Sequence, residues 1–169
     1  IDQDILLDYS LRFNPDIIAV GEMRGPEAYT AQEASRTGHT VLTTIHSNSC
    51  ESTYNRMVTL CKRKVDMGDE TLYGLVTEAF PLIVYCKQLE NRERKIMEIQ
   101  ECEIKPNGER VIRPLYRYDI CENRYENGKL IIRGEHKIIN DISDSLKKRL
   151  VDNGMPGSTL EKFTKGMMR

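Results

Sequence analysis

The chain has 169 residues, of which 39% are hydrophobic and 30% are charged, and its formal net charge is −1. This composition is typical of a folded domain with its own core. It excludes a disordered or membrane-embedded chain, since no apolar run approaches the ~20 residues that span a bilayer. The near-neutral charge gives no broad attraction for nucleic acid or anionic lipid.

The first elements predicted along the chain are a helix, a strand and a second helix. Apolar residues at helical spacing predict an amphipathic helix over 2–13. Its apolar face comprises Ile5, Tyr9 and Phe13, with Leu7 and Leu11 beside them. The continuous apolar run 17–20 predicts a strand that is buried on both faces of a parallel sheet. Pro26 suits the first position of the next helix, and Gly38 is expected to end that helix with a left-handed cap.

A second strand and two further helices follow. The β-branched run 40–46 predicts the strand, and the polar residues after it suit the cap of a helix over 50–64. The basic residues 62–64 lie at the C-terminus of that helix, where they interact favourably with its dipole, so a solvated helix end is preferred over a binding patch. Asp69 is expected to cap the next helix, over 70–80.

The second half of the chain has a pattern of alternating apolar residues and turns that predicts an antiparallel sheet. Four segments predict its strands: 82–86, 95–104, 110–118 and 129–133. A change of phase in the apolar alternation predicts a bulge near Gln100, and Pro114 predicts an edge or a bulge. Asp141 is expected to cap a helix that runs to Asp152, and Ser158 with Glu161 has the spacing of a capping box for a last turn over 158–163.

These elements predict an α/β protein whose parallel part comes first. We place its division between 1–80, which carries the strand–helix–strand pattern, and 81–169, which carries the antiparallel strands and the C-terminal helices. The sequence shows neither an internal repeat nor a low-complexity linker.

The cysteines predict reduced thiols. They are Cys50, Cys61, Cys86, Cys102 and Cys121. Their odd number and the absence of a C-x-x-C pair argue against a disulfide framework and a zinc site, and favour mostly buried or half-buried thiols in a cytosolic protein.

Polar residues at the ends of the two predicted parallel strands are the best candidates for chemistry. Glu22 follows the first strand and His46 closes the second, and the C-terminal ends of parallel strands open into one crevice. Arg24, Arg36 and His39 lie on loops near this edge or the opposite one. A carboxylate with an imidazole and guanidinium groups suits phosphoryl transfer, in which cations neutralise charge and a carboxylate positions water.

Each of these residues has a structural alternative. Glu22 could accept hydrogen bonds from backbone N–H groups at the start of the helix that begins near Pro26. His39 or His46, taken alone, is more often a core histidine with a satisfied hydrogen bond. As a zinc pair, the two histidines have poor ligand geometry without a Cys or Asp partner.

Two stretches carry a resemblance to a known family. LRFNPDIIAVGEMRGPEA, followed by RTGHTVLTTIHSNS, resembles the Walker B and histidine boxes of the type II/IV secretion ATPases, most of all the Tad/Flp pilus assembly branch. The resemblance implies a RecA-like core. It implies that Glu22 is the Walker B acid, acting through Mg²⁺ and the attacking water, and that His39 and His46 approach the γ-phosphate. It implies that Arg24 contacts the phosphates or a neighbouring subunit.

The sequence departs from that family in one respect, because nothing in it matches the phosphate-binding motif G-x-x-x-x-G-K-[ST]. The chain also lacks an initiating Met and a signal peptide. We therefore expect it to be the C-terminal half of a motor domain whose P-loop lies upstream of Ile1. The full-length protein is expected to use ATP and Mg²⁺, whereas the chain alone is expected to bind ATP weakly or not at all.

The resemblance implies a hexameric motor that works at the cytoplasmic face of the cell membrane with inner-membrane secretion or pilus platform proteins. Two alternatives stay open. One is a RecA-like motor that acts on nucleic acid in conjugation, which a basic channel with stacking aromatics would favour; the chain has three Phe and no Trp. The other is a non-catalytic oligomerisation or docking module.

Overall fold

A computed structural model describes residues 2–164, with side chains to residue 162, and the chain divides into two compact units between Pro81 and Leu82. The first unit holds a parallel sheet with helices. The second holds an antiparallel sheet followed by two helices. The predicted α/β class is confirmed. Within residues 2–164, no helix combines the length and the apolar character that crossing a bilayer requires.

The first unit is built around two parallel strands. Its elements are α1 (Gln3–Ser10), a 3₁₀ turn (Leu11–Phe13), β1 (Ile17–Val20), α2 (Glu27–Arg36), β2 (Thr40–Thr43), α3 (Cys50–Cys61) and α4 (Asp69–Ala79). β1 and β2 pair in parallel, with Ile17 opposite Thr40 and Val20 opposite Thr43. The predicted parallel pair is confirmed, although β2 ends three residues before His46. Gly38, with φ of +109°, follows α2 as expected of a left-handed cap.

Helices cover one face of this sheet. The small residues Ala28, Ala31 and Ala34 give α2 a narrow, buried face, which lets it pack closely in the unit. From α3, the buried Tyr54 donates its hydroxyl hydrogen to the carbonyl of Phe80, 2.7 Å away, and so fixes the C-terminal end of α4.

The other face of β1 is exposed within this chain, which corrects the prediction that the strand is buried on both faces. Ile18 and Val20 are 6% exposed, but Ile17 is 57% exposed. The exposed face borders an open apolar groove of about 510 Å³ beside α1. The predicted apolar face of the first helix is also exposed: Ile5, Tyr9 and Phe13. Leu7, which was predicted beside that face, is the buried residue of α1.

The basic residues after α3, Lys62, Arg63 and Lys64, are exposed, as predicted for a solvated helix end, and each also has a partner inside the unit. Lys62 forms an ion pair with Asp69, and Arg63 donates to the carbonyl of Arg24 at 2.9 Å. Lys64 donates to both carboxylate oxygens of Asp4, each at 2.9 Å. Asp69 itself lies in the first turn of α4, whose N-cap is Gly68, so its predicted capping role is wrong.

The second unit contains an antiparallel sheet of four strands in the order β3-β4-β5-β6. Its elements are β3 (Leu82–Gln88), β4 (Arg94–Ile104), β5 (Arg110–Glu126), β6 (Lys129–Ile138), α5 (Asp144–Asp152) and α6 (Gly157–Thr164). The predicted bulge is confirmed: the register shifts between Ile99 and Gln100, where Gln100 pairs with Pro114 and Leu115 is left without a partner position. Proline is tolerated there because a bulge interrupts the ladder.

The last two strands extend further than predicted and carry one close approach. Beyond Tyr118, β5 pairs only with β6, so the two strands form a ribbon. The ring of Tyr118, which is 7% exposed, lies directly over Gly134. A Cβ atom at Gly134 would lie 2.7 Å from that ring and 2.4 Å from the carbonyl oxygen of Asp119, so the position requires glycine.

The N-cap of helix α5 lies two residues after Asp141, the predicted cap. It is Ser143, whose hydroxyl oxygen accepts a hydrogen bond from the N–H of Leu146 at 3.1 Å. The buried carboxylate of Glu101 fixes Ser143. It accepts one hydrogen bond from the backbone N–H of Ser143, at 2.8 Å, and another from the hydroxyl of Ser143. Ser158 lies inside α6 rather than before it, so the predicted capping box is wrong.

Candidate functional site

The end of β1 is joined to the chain after β2 by hydrogen bonds outside the strand ladder. We call residues 21–25 the Glu22 loop. The N–H of Met23 donates to the carbonyl of Thr44 at 2.8 Å, and the hydroxyl of Thr44 donates to the carbonyl of Gly21 at 2.6 Å. Met23 is 1% exposed, so the loop is also fixed by a core side chain. These contacts place Glu22 beside His46.

Glu22 lies between a guanidinium and an imidazole. Its Oε1 atom is 3.1 Å from Nε2 of His46, and its Oε2 atom forms an ion pair with Arg24. The side chain of Glu22 is 21% exposed, whereas that of His46 is 86% exposed. The predicted convergence of Glu22 and His46 is therefore confirmed, and Arg24 joins them.

The electrostatic surroundings keep Glu22 ionised. The hydrogen bond from Arg24 lowers the pKa of Glu22 below its ordinary value of 4.5, and partial burial raises it by less. The positive charge of Arg24 and the fields of His46 and Arg56 add to the lowering. A carboxylate with a depressed pKa suits metal binding or charge stabilisation at neutral pH better than it suits a general acid.

One oxygen of Glu22 retains the capacity to bind a ligand. Oε1 is buried and, among the residues that the structure describes, makes no hydrogen bond of good geometry; His46 lies at ion-pair distance without alignment. Mg²⁺ is commonly held in proteins by one or two carboxylates together with waters and substrate phosphates. The free acceptor on Glu22 fits one such ligand, direct or through water.

A polar cleft of about 430 Å³ adjoins His46 at the start of α3. It is lined by His46, Ser47, Asn48, Ser52 and Arg56. Ser49 and Ser52 form a capping box at this helix end, in which each side chain accepts from the other's backbone N–H. A guanidinium beside a helix N-terminus favours an anionic group in the cleft.

Two predicted site residues lie elsewhere. His39 precedes Thr40, at the N-terminal end of β2, whereas Glu22 and His46 follow the C-terminal ends. Four strand residues, on the order of 13 Å, separate the two edges, so the structure does not bring His39 to Glu22. His39 is half-buried, and its Nδ1 atom has no hydrogen-bond partner among residues 2–164. Arg36 pairs with Glu33 and Glu78 on the helices.

Sequence reasoning missed the residue that accepts the loop's backbone hydrogen bonds. It considered Glu22 for that role, but Glu27 performs it. Oε1 of Glu27 accepts from the N–H of Arg24 at 2.5 Å and from the N–H of Gly25 at 2.8 Å, and Glu27 is 5% exposed. The sequence shows an acid in the first turn of this helix, but such a position by itself indicates only a favourable contact with the helix dipole.

The chain is similar in sequence to proteins of one known family. The sequence model of the family described as type II/IV secretion system protein matches residues 2–162. A probable conjugal transfer protein TrbB of Sinorhizobium fredii is 32% identical over 109 residues, which are 64% of this chain and 32% of that protein. The type II secretion system protein HxcR of Pseudomonas aeruginosa is 49% identical over 61 residues, 36% of this chain and 12% of that protein.

A solved structure shares the fold. The VirB11 ATPase of the Brucella suis type IV secretion system, in complex with sulphate, superposes with a TM-score of 0.57 and 25% sequence identity, covering 60% of this chain and 32% of that one. The chain spans about a third of the length of the curated relatives that it matches.

Proposed function

The chain belongs to the type II/IV secretion system protein family, and on this basis we propose that it is part of a motor ATPase that powers protein secretion or pilus assembly. The observation that carries the proposal is the contact of Glu22 with His46 and Arg24 at the ends of two parallel strands. Carboxyl ends of parallel strands are the usual ligand site of open α/β sheets.

In this proposal the ionised carboxylate of Glu22, acting through Mg²⁺, positions the attacking water for phosphoryl transfer. Arg24 keeps Glu22 ionised and oriented, and Oε1, which has no hydrogen-bond partner among residues 2–164, would accept a hydrogen bond from the attacking water. Mg²⁺, bound with ATP, would supply the positive charge that neutralises the phosphates. His46, which is exposed beside Glu22 and lines the polar cleft, would add a nitrogen donor there.

The phosphate-binding loop is proposed to come from outside this chain. The sequence contains no G-x-x-x-x-G-K-[ST] motif, and the curated relatives are about three times as long as the stretch they share with it. A P-loop supplies most contacts to the β- and γ-phosphates. The complete protein would then bind ATP and Mg²⁺ and work as a hexamer with platform proteins at the cytoplasmic face of the membrane, whereas the chain alone would be inactive.

The proposal is tested in the complete protein by replacing Glu22 with Gln, which keeps the size of the side chain and removes its charge. ATP turnover is expected to fall by at least about 100-fold, because the carboxylate acts in the transition state. ATP affinity should change by less than about threefold. Glu33→Gln, on the exposed side of α2, is the matched control and should keep full turnover.

Unchanged turnover in the Glu22 variant would overturn the proposed role. Single-strand DNA binding that weakens steeply with salt, in place of ATP turnover, would favour a motor that acts on nucleic acid. Binding of neither ligand would favour a docking module.

A further inference from the structure

The backbone of the Glu22 loop is held by hydrogen bonds to several other parts of the first unit. Beyond the two bonds to Thr44, the N–H groups of Arg24 and Gly25 both donate to one oxygen of Glu27. From the opposite side, Arg63 donates to the carbonyl of Arg24 at 2.9 Å. Arg24 is therefore fixed through its N–H and its carbonyl by residues that do not touch the reacting groups.

The carboxylate of Glu27 and the loop are fitted to each other. A Cβ atom at Gly25 would lie 2.9 Å from Oε2 of Glu27, closer than non-bonded atoms allow, so the carboxylate takes the space that a side chain at position 25 would need. Glu27 stands in the first turn of α2 and turns back onto the residues that precede the helix. The hydrogen bond from Gly25 is buried, so water does not readily replace Glu27 as the acceptor of that N–H group.

The consequence of this arrangement is a fixed direction for two side chains. Glu22 and Arg24 form an ion pair with each other, and apart from the contact of Glu22 with the exposed His46 it is their backbone that ties the pair to the fold. Without the acceptor on Glu27, the N–H groups of Arg24 and Gly25 lose their partner, and Arg63 is left as the remaining support of Arg24. The ion pair would move with the loosened backbone. Displacements of about 1 Å at a reacting group are sufficient to reduce rates about 100-fold.

We infer that Glu27 is a positioning residue, which holds the Glu22 loop in the conformation that directs Glu22 and Arg24 into the site, with Arg63 as the second support. The inference rests on the proposed function for its kinetic consequence, but not for its structural one. What Glu27 must supply is an acceptor oxygen in a fixed place, and its negative charge is secondary.

This distinction gives two informative variants. Glu27→Gln retains an amide oxygen that is able to accept both N–H groups, whereas Glu27→Ala removes the acceptor. Glu33→Ala, on the same helix but half-exposed, is the matched control for loss of a carboxylate. All variants are made in the complete protein.

The first measurement is amide hydrogen exchange, which does not depend on activity. In Glu27→Ala the amides of Arg24 and Gly25 should exchange at least about tenfold faster, whereas the amides of Ala31 and Ala34 in α2 should be unchanged. Glu27→Gln should stay within about threefold of the wild type at all four amides. Equal exchange at Arg24 and Gly25 in wild type and Glu27→Ala would overturn the inference.

The second measurement is steady-state ATP turnover. Glu27→Ala should lower kcat by about 10- to 100-fold with KM within about threefold, and Glu27→Gln should restore most of kcat. If Glu22→Gln abolishes turnover but Glu27→Ala retains it, positioning is wrong and the proposed function stands. If Glu22→Gln has no effect while exchange responds to Glu27→Ala, the proposed function is wrong and the structural support remains.

Discussion

Oε1 of Glu22 and Nε2 of His46 lie 3.1 Å apart although each belongs to the end of a different strand. This distance depends on the register of β1 with β2, in which Ile18 is paired with Val41. A slip of one residue in a strand turns every side chain to the other face. The pair is therefore a product of the sheet and not of either loop alone.

Removal of the imidazole should reduce ATP turnover. In the complete protein, His46→Ala is expected to lower kcat by about tenfold or more, because the site loses its nitrogen donor beside Glu22. ATP affinity, measured by titration, should change far less. Lys148→Ala, at an exposed residue of helix α5 in the second unit, is the control. Full turnover by the His46 variant would remove this residue from the site.

Asp4 should make the stability of the chain dependent on pH. Its partial burial raises its pKa, but hydrogen bonds from Thr30 and Lys64 outweigh this effect and hold the pKa below the ordinary value of 3.8. Because the pKa is lower in the folded state, the ionised carboxylate stabilises the fold above pH 3.8, and this contribution is lost as the pH falls through the folded pKa.

Asp4→Asn should therefore lower the free energy of unfolding by about 1 kcal/mol at neutral pH. The difference from wild type should be smaller when the two proteins are compared at about pH 3. Urea denaturation at the two pH values measures it. Asp8→Asn, whose carboxylate is 3.9 Å from Lys64 and 58% exposed, should have little effect. A difference that is the same at both pH values would contradict the assignment.

Ser143 should contribute more stability than Asp141. Ser143→Ala removes the N-cap of α5 and one partner of the buried Glu101, at a cost of about 2 kcal/mol. Asp141→Ala should change the free energy of unfolding by less than about 0.5 kcal/mol. Chemical denaturation of both variants decides between the cap that the sequence predicted and the one that the structure has.

The cysteines should differ sharply in reactivity. Cys61 is fully buried in α3, and burial raises the pKa of its thiol to about 12, so little thiolate is present near neutral pH. Cys86 and Cys121 are exposed. Iodoacetamide should label these two at least about 100-fold faster than Cys61, as mass spectrometry would show. Comparable labelling of Cys61 in the native chain would contradict its burial.

The chain alone should bind ATP weakly. Its strand ends offer Glu22 and nearby cations but no backbone cradle for the β- and γ-phosphates. Calorimetric titration of the 169-residue chain should show no binding in the micromolar range. Micromolar affinity would mean that the chain supplies the phosphate contacts itself.

The sequence was sufficient for features that depend on local patterns. The apolar run before Glu22 and the β-branched run before His46 predicted two parallel strands, and their polar ends predicted the shared edge. The bulge near Gln100 was predictable because the apolar alternation changes phase there.

Features that depend on partners distant in sequence could not be predicted. Arg63 resembled a solvated helix end, because nothing local shows that its guanidinium reaches the carbonyl of Arg24. The extension of β5 and β6 was missed because ion pairs, such as those from Arg124 to Glu122 and Glu126, replace apolar alternation along the ribbon. The displaced cap of α5 depends on Glu101, a residue of β4.

The contact between Tyr118 and Gly134 makes the sheet of the second unit sensitive to a substitution of Gly134, even by alanine. Nζ of Lys95 lies 5.9 Å from the centre of the Tyr118 ring, and the His136 ring packs against it at 4.9 Å. A single methyl group added at position 134 would displace the tyrosine, and with it the lysine and histidine that rest on it. One carbon atom would thus disturb β4, β5 and β6 together.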